Sequence, residues 1–133
     1  MKGSSFITYL ILFFSGIFVV IMIYFAINIL IINIVKSNYI ASKHSAEFFA
    51  NTLNSLFSST ANVSLIVTLP KINAKFYFFE DNVTVKIGND VYSEKIFKPD
   101  YIELKVKNNP IIARKEFQTQ IFITKINNEI KIE

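Results

Sequence analysis

The chain has 133 residues and a mean hydropathy of +0.41, but its 52% apolar content is gathered toward one end, which excludes an ordinary soluble domain over the whole length. Of fourteen Lys and Arg residues only Lys2 precedes residue 36, leaving thirteen bases and all ten acids scattered over the remainder, a pattern that does not make a nucleic-acid patch. Cysteine is absent, which excludes disulfides and thiolate metal sites.

From Gly3 to the residue before Lys36 there is no Asp, Glu, Lys, Arg or His, and residues 6–35 are almost wholly Ile, Leu, Phe, Val, Met and Tyr. A helix of about thirty residues reaches ~45 Å, against ~30 Å of bilayer hydrocarbon, so one crossing leaves about ten residues to spare. A cleaved secretory signal is the competing reading, but its apolar region ends after ~7–15 residues, and this run continues well past that. The division that follows is an amino-terminal transmembrane helix over 1–35, then an amphipathic helical continuation and β-rich external domain over 36–133.

Polar interruptions within the run are few. Asn28 and Asn33 are expected at the outer membrane interface, or hydrogen-bonded to another helix. Ser15-Gly16 marks a place where two helices can approach closely. Phe13, Phe14, Phe18 and Phe25 have two readings, as side chains facing lipid or as contacts between helices of an assembly. Lys2 lies on one side of the run and Lys36 and Lys43 on the other, so basic residues alone set no orientation. The sequons Asn62-Val63-Ser64 and Asn82-Val83-Thr84 are possible N-glycosylation sites and favour an external carboxy-terminal domain on a single-pass membrane protein.

No Pro or Gly interrupts the chain from Gly16 to Pro70. Ala46, Phe49, Ala50, Leu53, Leu56 and Phe57 recur at three- and four-residue steps, with Lys43, Glu47, Asn51, Asn54 and Ser58 on the other face. The spacing predicts one helix from about residue 6 to about residue 59, on the order of 80 Å long. Its later part is expected to lie under a sheet.

Beyond it the period becomes two. Val63, Leu65, Val67 and Leu69 define a strand that Pro70 ends. An aromatic strand over 74–80 leads through Asp81-Asn82 to the alternation of Val83, Val85 and Ile87, and Gly88-Asn89-Asp90 is a second turn. Ile102, Leu104 and Val106 alternate with charged residues. Residues 117–126 and 130–132, separated by Asn127-Asn128, read as a hairpin because Asn tolerates positive φ. The fold class is therefore α+β, a long amino-terminal hydrophobic helix as stem with a small, mostly antiparallel head, expected as a meander of successive hairpins.

Catalysis needs convergent titratable groups, and the chain offers one His, no Cys, and acids that alternate outward or sit in turns. His44 reads as a solvated or partner-facing side chain. Glu80, Asp81 and Asp90 would make a cation site only if two turns came together. No EF-hand, phosphate loop or zinc spacing is present. No enzyme activity, cofactor or metal is expected.

Three features carry a resemblance: the short basic start Met1-Lys2-Gly3 before the hydrophobic run, the unbroken long helix, and the strand Leu65-Ile66-Val67-Thr68-Leu69-Pro70 followed by Phe76-Tyr77-Phe78. Together they resemble the archaeal type IV pilin-like proteins, which include pilins, archaellins and related surface-filament subunits. The resemblance is one of architecture over most of the chain. It implies cutting by a prepilin peptidase after Gly3, making Ser4 the first residue. It also implies storage in the membrane, extraction by an assembly ATPase and platform, and polymerisation with copies of itself through the apolar helix into an adhesive extracellular filament. The alternative from another class is a permanently anchored accessory or stator-like component of an archaellum or secretion system that binds an envelope protein. An unprocessed minor subunit that primes or caps an assembly stands between the two.

Overall fold

The computed structural model describes the backbone of residues 3–133 and the side chains of residues 7–33 and 36–133. One helix, α1, runs without a break over Gly3–Ser58. By their contacts the residues fall into two compact units, Met1–Lys36 and Ser37–Glu133, so α1 supplies the first and opens the second.

In the second unit the apolar stripe decides how the helix packs. Ala46, Phe49, Ala50, Leu53, Leu56 and Phe57 are all buried, whereas Asn51 and Ser58 are exposed and Lys43, Glu47 and Asn54 lie half-buried. The three- and four-residue spacing places those six side chains on one side of a 3.6-residue helix, and that side is where the core is. Phe49 stands at its centre. Its ring meets Phe76 and Phe78 edge-on at centroid distances of 5.5 and 5.4 Å, the geometry that ring quadrupoles favour.

Eight strands follow: β1 (Val63–Thr68), β2 (Ala74–Phe78), β3 (Asn82–Ile87), β4 (Asp90–Lys95), β5 (Glu103–Val106), β6 (Ile111–Ala113), β7 (Gln120–Ile126) and β8 (Glu129–Ile132). They form two four-stranded sheets, ordered β1-β7-β8-β5 and β4-β3-β2-β6. The arrangement is α+β and mostly antiparallel, with β5 and β8 as a parallel pair. A single meander is not what forms. Hairpins join β2, β3 and β4, and join β7 to β8, but β1 pairs with the distant β7 and β6 returns to the edge of β2.

Turn chemistry explains both tight hairpins. Gly88 has φ +60° in the two-residue loop between Ile87 and Asp90, and Asn127 has φ 54° in the corresponding loop between Ile126 and Glu129. Two-residue hairpin loops need positive φ at the first central position, which Gly and Asn supply at least cost.

Two strands depart from the expected bounds by two or more residues, and two others carry no clear period in the sequence. The segment starting at Phe117 begins as a turn, in which the Phe117 N–H donates to the Arg114 carbonyl at 3.3 Å, and the strand itself starts at Gln120. The aromatic strand ends at Phe78, two residues before the expected limit. β4 was hidden because its row Asp-Val-Tyr-Ser-Glu-Lys has no buried apolar residue; it is an edge strand in which Val91 faces outward. β6 has only three residues, too few for a period to register.

The inward faces of both sheets meet α1 in one core containing Val83, Val85, Ile121, Ile123, Ile130 and Ile132, all fully buried. Each such side chain stabilises the fold by about 1.5–3 kcal/mol of transfer free energy.

Candidate functional site

Apolar side chains without a protein partner dominate the first unit. Phe13, Phe14, Phe18 and Phe25 are each about three-fifths exposed, as are Ile11, Leu12 and Leu30, and between residues 7 and 33 only Asn28 is as much as half-buried. Exposure on all sides of the helix sets this segment apart from the amphipathic continuation, which is apolar on one side alone. A helix apolar all round belongs in a protein core or in lipid. α1 is long and apolar enough to cross a membrane, with a mean hydropathy of 2.8 over its most apolar stretch.

The few polar groups in this segment are largely answered within the helix. Ser15 Oγ donates to the Leu12 carbonyl at 2.9 Å, and Asn28 Nδ2 donates to the Tyr24 carbonyl at 2.9 Å. Such back-bonding lowers the cost of placing a hydroxyl or amide in hydrocarbon, since the N–H or O–H keeps an acceptor. Asn33 is exposed. Phe13 and Phe14 touch edge-to-face at 5.9 Å, and Tyr24 and Phe25 at 6.3 Å. Phe18 and Phe25 have no ring contact with Phe13 or Phe14; Phe14, Phe18 and Phe25 follow one another along one side of the helix, with Phe13 about a quarter-turn away. The proposed cut between Gly3 and Ser4 follows Met1 and Lys2, and these two residues and the side chains of Gly3 and Ser4 lie outside the described residues.

The titratable residues singled out in the sequence stay apart. His44 has a largely exposed ring, 3.6 Å from Glu47. Glu80 and Asp81 sit at the entry to β3 and Asp90 beyond its far end, so the length of that strand separates the two turns. Asp81 Oδ1 accepts from Asn82 Nδ2 at 2.7 Å. Among the described residues no three His, Asp or Glu gather as a metal-binding group.

The two sequons have different surroundings. Asn62 is exposed, and its Oδ1 accepts from the Asn127 N–H at 2.8 Å. Asn82 is half-buried, its nitrogen donating to Asp81 and its oxygen accepting from Thr84 Oγ1 at 3.1 Å; Thr84 also shares a 2.6 Å bond with Ser93.

A charge row crosses the β5–β8 pair. Lys105 Nζ lies 3.1 Å from Glu129 and 3.3 Å from Glu103, and Lys131 Nζ lies 3.1 Å from the other Glu129 oxygen. Hydrogen bonds from Lys105 and then Lys131 hold the Glu129 carboxyl below the usual carboxylate range, and those with Glu129 and Glu103 raise Lys105. The row bridges β5 and β8 at their partly exposed surface, where solvent screening keeps each pair weak.

Two polar residues that sequence reasoning passed over hold the head together. Lys125 is 97% buried and donates to the carbonyls of Leu56 and Ser59 at the end of α1. Asn109 spans the Phe78 backbone, accepting from its N–H at 3.1 Å and donating to its carbonyl at 2.8 Å. A signal for Lys125 was present: it continues the inward phase of Ile121 and Ile123, where a base demands buried acceptors.

No protein-family model, no curated protein and no solved structure matches this chain.

Proposed function

We propose that the chain is a structural, non-catalytic subunit of an archaeal type IV pilus-like filament, polymerising through the apolar part of α1 with the β-rich unit facing outward. One observation carries the reading: a single unbroken helix is apolar on every side over residues 7–33 and then serves as the core element of a packed domain. A plain anchor needs about twenty residues. Here the apolar stretch runs on for longer and joins the head with no linker.

The physics of assembly is compatible. Helices that leave lipid must find equivalent apolar surface, and like neighbours provide it at ~25 cal/mol per Å² buried. Phe14, Phe18 and Phe25, at steps of four and seven, line one side of the helix with Phe13 beside them, and suit contact with a neighbouring helix. Before assembly the same surface is solvated by lipid, with the carboxy-terminal unit external, and prepilin peptidase and an assembly ATPase with its platform are the partners this route requires.

Electron microscopy and mass spectrometry of sheared surface material test the reading. The protein is expected in filaments with Ser4 as its first residue. Recovery only from membrane extracts favours a permanently anchored accessory or stator-like component that binds an envelope protein, and overturns the filament reading. Filaments that contain intact Met1 retain assembly but reject processing after Gly3.

A further inference from the structure

The outward face of the β4-β3-β2-β6 sheet carries a charge arrangement that the fold does not use. Lys75 of β2 stands directly opposite Lys86 of β3 in the antiparallel register. Side chains so paired have Cβ atoms about 5 Å apart, and like charges there destabilise the strand pair. The row continues to Ile112, opposite Lys75, and to Val91, opposite Lys86, both half-exposed. Two ammonium groups therefore sit between apolar flanks.

A third cation joins them. Arg114 lines the same groove, of about 430 Å³, together with Asn73, Gly88 and Glu116. Asn73 Oδ1 accepts the Lys115 N–H at 3.0 Å, which ties the chain leaving β6 to the chain entering β2 and fixes the backbone beside Arg114. Three bases against the single acid Glu116 leave a formal charge of +2 in one groove. Among the described residues none of the three bases forms an ion pair, in contrast to Lys105 and Lys131 on the other sheet. Among the described residues no ion pair relieves the repulsion between Lys75 and Lys86, and Glu116 is the one acid lining the groove.

We propose that this groove is an anion-binding site for a ligand that carries phosphate or carboxylate groups. An anion between Lys75 and Lys86 turns the repulsive pair into two attractive contacts, and the Arg114 guanidinium offers the planar fork that grips such groups through two N–H donors. The groove is open along the sheet, so a repeating polyanion fits as well as a single small ion. The assignment rests on the β-rich unit alone and stands whether or not α1 assembles into filaments.

Thermal unfolding of the full chain in detergent, with inorganic phosphate or with chloride at matched ionic strength, tests it. A ligand that binds only the folded state raises the midpoint in a saturable way. Phosphate is expected to do so, and chloride to give only the smaller, non-saturating effect of screening. The double variant Lys75→Gln/Lys86→Gln is expected to unfold at a higher temperature than the parent at low salt and to lose the phosphate response, whereas Lys95→Gln, at the far end of β4, keeps it. Arg114→Gln, outside the strands, provides a second variant, expected to weaken phosphate binding several-fold by calorimetry with the fold unchanged. Equal effects of phosphate and chloride, or an undiminished phosphate response in the double variant, overturn the site. Inorganic polyphosphate and polygalacturonate separate the two sources of anionic charge: tighter binding of one names the source, and binding of neither overturns the proposal.

Discussion

The Lys125 ammonium donates to the Leu56 carbonyl oxygen at 2.5 Å across 69 positions of sequence, and it also reaches the Ser59 carbonyl. Helices end with carbonyls that lack internal partners and with the negative end of the macrodipole. The last turn of α1 contains no basic residue of its own, so β7 supplies the cation. Lys125→Met keeps the apolar stem and removes the donor, leaving the Ser59 carbonyl without that partner and the Leu56 carbonyl with only the long 3.3 Å bond from the Ser59 N–H. The expected cost is about 1–3 kcal/mol, the range for one orphaned group, read from thermal unfolding of the full chain in detergent. A loss below about 0.5 kcal/mol would show that water replaces the lysine.

Phe49 and Leu53 set the seating of both sheets on the helix. Phe49→Ala is expected to cost about 3–5 kcal/mol, the range for removing a buried aromatic, and Phe49→Asp or Leu53→Asp to unfold the head, because a carboxylate would be buried with no partner. Lys43→Gln, on the half-exposed side, should change stability by less than about 0.5 kcal/mol. Near-ultraviolet circular dichroism reports each loss of packing.

Glu129 is expected to give the head a dependence on acid. Its carboxyl is held below the ordinary value by Lys105 and Lys131, so its contribution is present above the unfolded-state value and is lost as pH falls through the lower, folded-state value. Lys105, raised by the same contacts, contributes below its unfolded-state value and loses that contribution as pH rises through its folded-state one. Glu129→Gln is expected to flatten both arms of the stability-pH curve. An unaltered curve would mean that the charge row is too screened to matter.

Asn109 fastens the segment before β6 to the edge of β2. Asn109→Ala removes both hydrogen bonds to Phe78 and is expected to cost about 1–2 kcal/mol, with faster amide exchange at Phe78 as the local readout. Exchange at Phe78 unchanged from the parent would assign that protection to the sheet alone.

The apolar part of α1 has its own test. Phe18→Asp places a carboxylate mid-segment, at about 2.5–3.5 kcal/mol for insertion. The protein is expected to shift toward the soluble or degraded fraction, and surface filaments to disappear. Val91→Asp, on the outward face of an edge strand, should leave fractionation as it was.

What could be read in advance followed periodicity. The stripe through Ala46, Phe49, Ala50, Leu53, Leu56 and Phe57 is repeated by the burial of those same six residues, and the Asn127-Asn128 hairpin follows from local turn chemistry. Pairings between distant segments escaped, because the parallel register of Glu103–Val106 with Glu129–Ile132 leaves no mark in either segment alone. The Lys75–Lys86 confrontation is likewise invisible until two strands are in register. A lone Lys125 within a β run reads as a solvent-facing residue unless its phase with Ile121 and Ile123 is weighed.

The lysine at the end of α1 also bears on the order in which the chain folds. Leu56 leaves the ribosome long before Lys125 is made, and contacts so far apart in sequence form late because loop closure must come first. Until β7 arrives, the final helical turn keeps open carbonyls and its stripe of Phe and Leu faces solvent. The nascent chain therefore passes through an interval in which a lipid-seeking segment is complete while its head is not, and a holding factor or the membrane surface has most to protect during that interval.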